Sequence, residues 1–179
     1  CAAILDGKVI DTTMGLTPLE GILMGTRTGS MDPAIVTFIL RRDNCTLDEM
    51  DDLMNKKSGL LGISGISNDM RELEQAAKEG NENARLALDM YNRSVQKAIG
   101  SFYAIMPRTD AVVVTAGIGE NSEFTRNEIF EGLKHMGMII DPEKNKGRGG
   151  DRVVSADDSP VAIIVISADE EMCIARETQ

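Results

Sequence analysis

Ala84, Leu88, Tyr91, Val95, Ala98, Phe102 and Ile105 recur at alternating intervals of four and three. That spacing places all of them on one stripe and requires a long continuous helix behind Asn81. Residues 110–115 follow closely and contain Ala111-Val112-Val113-Val114, an unbroken apolar run expected of a strand buried on both faces. After a glycine loop, Ile129, Phe130, Leu133 and Met136 mark the core face of another helix. Further strands are expected at 152–155 and 161–167, separated from that helix by a Gly-, Lys-, Asn- and Asp-rich surface loop at 141–151, and a last helix runs from 168 to about 176. Long helix, strand, loop, helix and strand in that order define an α/β chain with a mixed sheet flanked by helices.

The N-terminal third has its own punctuation. Residues 2–5 and 8–12 are short apolar or β-branched runs around Asp6-Gly7, a dipeptide suited to a two-residue hairpin turn. Thr17-Pro18-Leu19-Glu20 and Asp32-Pro33 each combine a capping residue with Pro at the first helical position, so short helices are expected after both. Thr46 and Glu49 form a capping box for a helix that stops before Ser58-Gly59. Residues 60–68 have neither helical nor strand period and read as an ordered loop, with a helix restarting near Asp69 and ending at Gly80.

Composition excludes several classes of function. With 29 Asp and Glu against 19 Lys and Arg, the net charge of −10 opposes binding to nucleic-acid backbones or anionic membranes. The longest apolar stretches fall far short of a membrane-spanning helix of roughly 20 residues. Cys1, Cys45 and Cys173 have no metal-ligand spacing and cannot close a disulfide framework, which fits a reducing cytoplasm. The chain opens on a strand without an initiator Met, and is therefore expected to be part of a longer protein.

Four segments carry candidate chemistry. Gly117-Ile118-Gly119-Glu120-Asn121 lies between a strand and a helix, where glycines admit either a close ligand or a tightly packed turn. Arg27 sits in Gly25-Thr26-Arg27-Thr28-Gly29 and either grips a phosphoryl group bidentately or is a surface arginine. Asp169-Glu170-Glu171 opens the last helix, where carboxylates favour the helix dipole or hold Mg²⁺. Asp69-Met70-Arg71 starts a helix, with Asp69 as a cap and Arg71 free to face a nucleotide. The lone His135 is expected to be exposed and without a catalytic role, and Met136 and Met138 to fill the core.

Taken in order, residues 11–21 (Asp-Thr-Thr-Met-Gly-Leu-Thr-Pro-Leu-Glu-Gly), Met24-Gly25-Thr26-Arg27-Thr28-Gly29, Gly62-Ile63-Ser64-Gly65, residues 115–121 and Asp169-Glu170-Glu171 resemble the acetate kinase family over essentially the whole chain. The first of these runs is the most specific. The resemblance implies a ribonuclease H-like domain of the actin-like ATPase superfamily, acting as the C-terminal nucleotide-binding and dimerisation domain over residues 1–179. It also implies a similar N-terminal domain, with catalysis in the cleft between the two, and reversible transfer of the ATP γ-phosphoryl group to acetate, giving acetyl phosphate and ADP.

By the same resemblance Arg27 stabilises the transition state and Glu170 is the carboxylate for Mg²⁺, with Mn²⁺ as a substitute. Asp69, Met70 and Arg71, together with Gly117, Ile118, Gly119, Glu120 and Asn121, contact the nucleotide. A homodimer in the cytoplasm is implied, with no nucleic-acid or membrane partner. The phosphate loop and the acetate pocket of the family have no counterpart in these residues, so the chain alone is expected to be inactive. A propionate kinase half and a non-catalytic nucleotide-binding or dimerisation module are the alternatives.

Overall fold

The computed structural model describes residues 1–148 and 150–178, except for the side chains of Glu170, Glu171, Cys173 and Glu177. The chain divides into two compact units, Cys1–Pro107 and Arg108–Gln179.

In the first unit, β1 (Ala2–Leu5) and β2 (Lys8–Thr12) form an antiparallel hairpin. Asp6 and Gly7 both have left-handed φ, 49° and 75°, as the predicted tight turn requires. The register slips by one between Ala3 and Ile4, a bulge that leaves Ala3 buried while Val9 and Ile10 stay exposed. The helix expected after Thr17-Pro18 does not form. Residues 17–22 are bends and turns: the Thr17 hydroxyl accepts from the Leu19 amide, as a cap does, but Gly21 turns the chain away at φ 110°.

The other local signals hold. α1 (Ala34–Asp43) begins where Asp32 accepts from the Ala34 amide. α2 (Leu47–Lys56) has the complete Thr46/Glu49 capping box. Residues 60–68, expected as loop, instead contribute to a short helix, α3 (Gly59–Ser64). Asp69 caps α4 (Met70–Lys78) and Asn81 caps α5 (Glu82–Ile105). α5 packs against α3 and α4 through Ala84, Ala87 and Leu88, all essentially buried, whereas Ile105 at the far end of the stripe is half exposed.

The second unit is built on a three-stranded sheet ordered β3-β5-β4. β3 (Ala111–Val114) runs parallel to β5 (Ala162–Val165), and β4 (Arg152–Val153) pairs antiparallel with β5 on its other side. This is the expected mixed sheet. The central position belongs to β5, with Ile163 and Val165 fully buried, while Val113 on the edge strand β3 is half exposed; β3 is therefore not buried on both faces.

Between β3 and β4 lie α6 (Ala116–Asn121), α7 (Glu123–Glu131) and a 3₁₀ turn at Lys134–Met136. Ile129, Phe130, Leu133 and Met138 supply the core of this unit, with Met136 only half buried. α8 (Glu170–Glu177) ends the chain.

Candidate functional site

Residues 24–28, which carry Arg27, form neither helix nor strand. They are held by hydrogen bonds from the turn between α2 and α3. The amides of Ser58, Leu60 and Leu61 donate to the carbonyls of Thr26, Met24 and Gly25 at 3.0, 2.9 and 2.9 Å. The Thr28 amide donates to Met54 O at 3.0 Å, and the Thr26 hydroxyl to Asn55 O at 2.9 Å. These bonds satisfy the carbonyls of Met24, Gly25 and Thr26 and the amide of Thr28, and the side chain of Arg27 is exposed.

Arg27 lines an open cavity of about 630 Å³ with Met24, Gly25, Thr26, Asp51, Asn55, Lys56 and Asn68. Lys56 is paired with Asp52 at 2.6 Å, but among the described residues no carboxylate pairs with Arg27. An unpaired guanidinium at an open cavity has its planar donor fork available to an anionic oxygen pair. The contribution of Asp51, Asn55 and Lys56 was not legible in the sequence; only Asp51 and Asn55, four apart on α2, have the spacing that puts two of them on one face.

Asn68 lines the same cavity and leads directly into Asp69. The Asp69 carboxylate accepts from the Arg71 amide at 2.8 Å and from the Arg71 guanidinium at 3.1 and 2.5 Å. The Arg71 side chain, followed by its amide, holds the Asp69 carboxyl at about 2, well below its ordinary 3.8. Asp69 is thus a helix cap, and Arg71, although exposed, is engaged with it.

In the second unit the expected glycine loop 117–121 folds as α6. Ala116, at its start, has φ 62°, a left-handed conformation that costs a non-glycine residue about 1 kcal/mol. The two glycines differ. A Cβ at Gly119 would lie 3.3 Å from Val114 C, so this glycine lets α6 pack closely on β3, while a Cβ at Gly117 would meet nothing within 4 Å. The packing reading therefore describes Gly119, while nothing in the fold crowds Gly117.

The main support of α6 is Arg126, which sequence reasoning missed. It is 1% exposed and donates to the carbonyls of Gly119 and Glu120, both at 2.9 Å, and to Asn145 Oδ1 and O at 2.7 and 2.8 Å. Asn145, within the expected surface loop 141–151, is itself buried and donates to Glu123 O at 2.9 Å. Burial, and next the charge of Arg152, push the Arg126 pKa down, with Glu123 pulling it the other way. The available signal was position: Arg126 stands three, four and seven residues before Ile129, Phe130 and Leu133, on the core face of α7.

Glu120 does not point freely at a ligand: its Oε1 accepts from the Ala168 amide at 2.9 Å, tying α6 to the segment that enters α8. Asn121 donates back to Gly117 O at 2.9 Å. Asp169 caps α8 by accepting from the Met172 amide at 3.1 Å. The side chain of Glu170, the expected magnesium carboxylate, lies outside the described residues. Among the described residues no group of three or more His, Cys, Asp or Glu is arranged to hold a metal. His135 is exposed, as expected.

The α/β fold is that of the carboxylate kinases of known structure. It aligns with the crystal structure of Porphyromonas gingivalis acetate kinase at a TM-score of 0.94 and 43% identity, over 99% of this chain and 45% of that one. A propionate kinase from Francisella tularensis aligns at 0.92 and 41% identity, over 98% and 45%. Residues 1–176 match the Acetokinase family, and the chain belongs to that family. It is 53% identical over 178 residues to the acetate kinase of Methanosarcina barkeri, covering 99% of this chain and 44% of the relative. The chain thus spans a little under half the length of the relatives it matches.

Proposed function

We propose that this chain is the C-terminal, nucleotide-binding and dimerisation part of an acetate kinase, which transfers the γ-phosphoryl group of ATP reversibly to acetate. The observation that carries the proposal is Arg27, a solvent-facing guanidinium free of any described carboxylate beside an open cavity. In the forward reaction an acetate oxygen attacks the γ-phosphorus, the bond to the ADP oxygen breaks, and negative charge spreads over the transferring oxygens. Arg27 donates two parallel hydrogen bonds to those oxygens, most strongly in the transition state.

Asp69, Met70, Arg71 and residues 117–121 contact the nucleotide in this proposal, with Gly117 providing the clearance for close approach. Glu170 would hold Mg²⁺, which would supply charge neutralisation at the phosphates; this assignment rests on the resemblance alone. Family membership supports a homodimer, and the exposed Ile35 and Phe38 on α1 give it apolar material. Cytoplasmic residence belongs to the same proposal. No described helix is long and apolar enough to cross a membrane.

The test is acetyl phosphate formation from acetate and Mg-ATP. A full-length enzyme, with this chain preceded by the family's N-terminal half, is expected to turn over, and the 179-residue chain alone is not. Activity of the isolated chain would overturn the division of labour proposed here. The similarity to a propionate kinase supports a second reading, and a larger kcat/KM for propionate than for acetate would select it.

A further inference from the structure

Gly59 stands where the amide-rich start of α3 meets the main chain of the Arg27 segment. The first amides of a helix have no partner within it. Here those of Ser58, Leu60 and Leu61 are taken by the carbonyls of Thr26, Met24 and Gly25. Gly59 lies among these donors with φ 62°, and a Cβ there would fall 2.2 Å from Met24 O, 2.8 Å from Arg27 O and 3.0 Å from Arg27 N. The obstacles are main-chain atoms, two of them belonging to Arg27 itself, so no rotamer change relieves the crowding. A side chain at position 59 must move residues 24–27 by more than an ångström to reach ordinary contact distance, or break the hydrogen bonds that hold them.

We infer that Gly59 is a positioning residue for phosphoryl transfer: its missing side chain lets α3 hold the main chain of Arg27 at the distance that aims the guanidinium. This rests on the proposed role of Arg27. A displacement of about 1 Å at a reacting group costs on the order of 100-fold in rate. Thr26 assists through its hydroxyl bond to Asn55 O, which ties the same segment to the end of α2.

The test uses the full-length enzyme, measuring kcat, KM for ATP and melting temperature together. Gly59→Ala is expected to lower kcat about 100-fold while KM for ATP stays within about twofold of the parent, as expected for a group acting only in the transition state. Gly80 is the control for backbone strain. Its φ is 92° with nothing within 4 Å of a Cβ, so Gly80→Ala should lower the melting temperature and leave kcat unchanged. Thr26→Val should reduce kcat several-fold without any added clash. Full kcat in Gly59→Ala, or an equal loss of kcat in Gly80→Ala, overturns the inference. If Gly59→Ala does not fold, parental kcat in Thr26→Val overturns it instead. Arg27→Ala separates the two levels: normal turnover there defeats the functional proposal, whereas an inactive Arg27→Ala beside a fully active Gly59→Ala defeats only the role of Gly59.

Discussion

Arg27 and Arg126 are the same side chain put to opposite uses in the two compact units. Arg27 makes no described ion pair and faces solvent, while the main chain around it is fixed by amides from the α2–α3 turn. Arg126 is 1% exposed and gives its donors to protein acceptors, three of them carbonyls on α6 and at Asn145. In one unit the backbone holds an arginine; in the other an arginine holds the backbone. What separates them is where the hydrogen bonds end, and this decides whether a substitution damages chemistry or folding.

The comparison breaks first at Arg126. Arg126→Leu removes the donors of three carbonyls and one side-chain amide oxygen, and each buried acceptor left unpaired costs about 1–3 kcal/mol. Loss of at least ~3 kcal/mol from the second unit is expected, seen as a lower denaturation midpoint and rapid amide exchange throughout α6. A stability change below ~1 kcal/mol would mean that α6 is supported by something else. Arg126→Lys should recover little, since an ammonium cannot reproduce a planar fork serving two directions.

Arg27→Ala is the opposite case. Its effect on stability should stay within ~0.5 kcal/mol, as for an exposed substitution away from packing features. Turnover in the full-length enzyme should fall about 100- to 1,000-fold, the usual loss for one preorganised transition-state donor, with ATP affinity nearly unchanged. Equal and large losses of stability in Arg27→Ala and Arg126→Leu would erase the distinction between them.

The sequence made the local half of this comparison legible and hid the long-range half. The Asp6-Gly7 turn, the Thr46/Glu49 box and the Asp69 cap depend on neighbours within a turn or two and formed as read, while the stripe gave the long helix α5 but not the exposure of Ile105 at its far end. Thr17-Pro18-Leu19-Glu20 had the same capping chemistry but no apolar period behind it, so nothing paid the cost of helix nucleation. The glycines in 59–65 and 117–121 concealed α3 and α6, because glycine disfavours a helix on its own. Both helices are secured by side-chain or main-chain partners outside them: α3 by residues 24–26, far away in sequence, and α6 by Ala168, also far away, and by Arg126 six and seven residues on. The candidate segments themselves were legible from the ordered motifs, whereas Gly59, Arg126 and Asn145 depend on contacts that no short motif encodes.

The smallest expected effect concerns Asp69 and asks whether Arg71 is a structural partner or a nucleotide ligand. The folded-state value of about 2 lies below the ordinary 3.8, so the interaction contributes fully above the ordinary value and is lost as pH falls through about 2. Its contribution is therefore constant near neutrality, and only acid titration exposes it. Arg71→Ala should raise the Asp69 value, but not fully to 3.8, because the residue-71 amide still donates to the carboxylate; carboxyl NMR reads the shift. Salt should raise it as well, since the pair is exposed and open to screening. Saturating Mg-ADP then separates the roles. If Arg71 turns from Asp69 to a phosphate oxygen, Asp69 loses the largest contribution to its low value and titrates higher in the complex. An unchanged titration in a complex that demonstrably holds nucleotide would leave Arg71 as part of the helix cap and remove it from the nucleotide site.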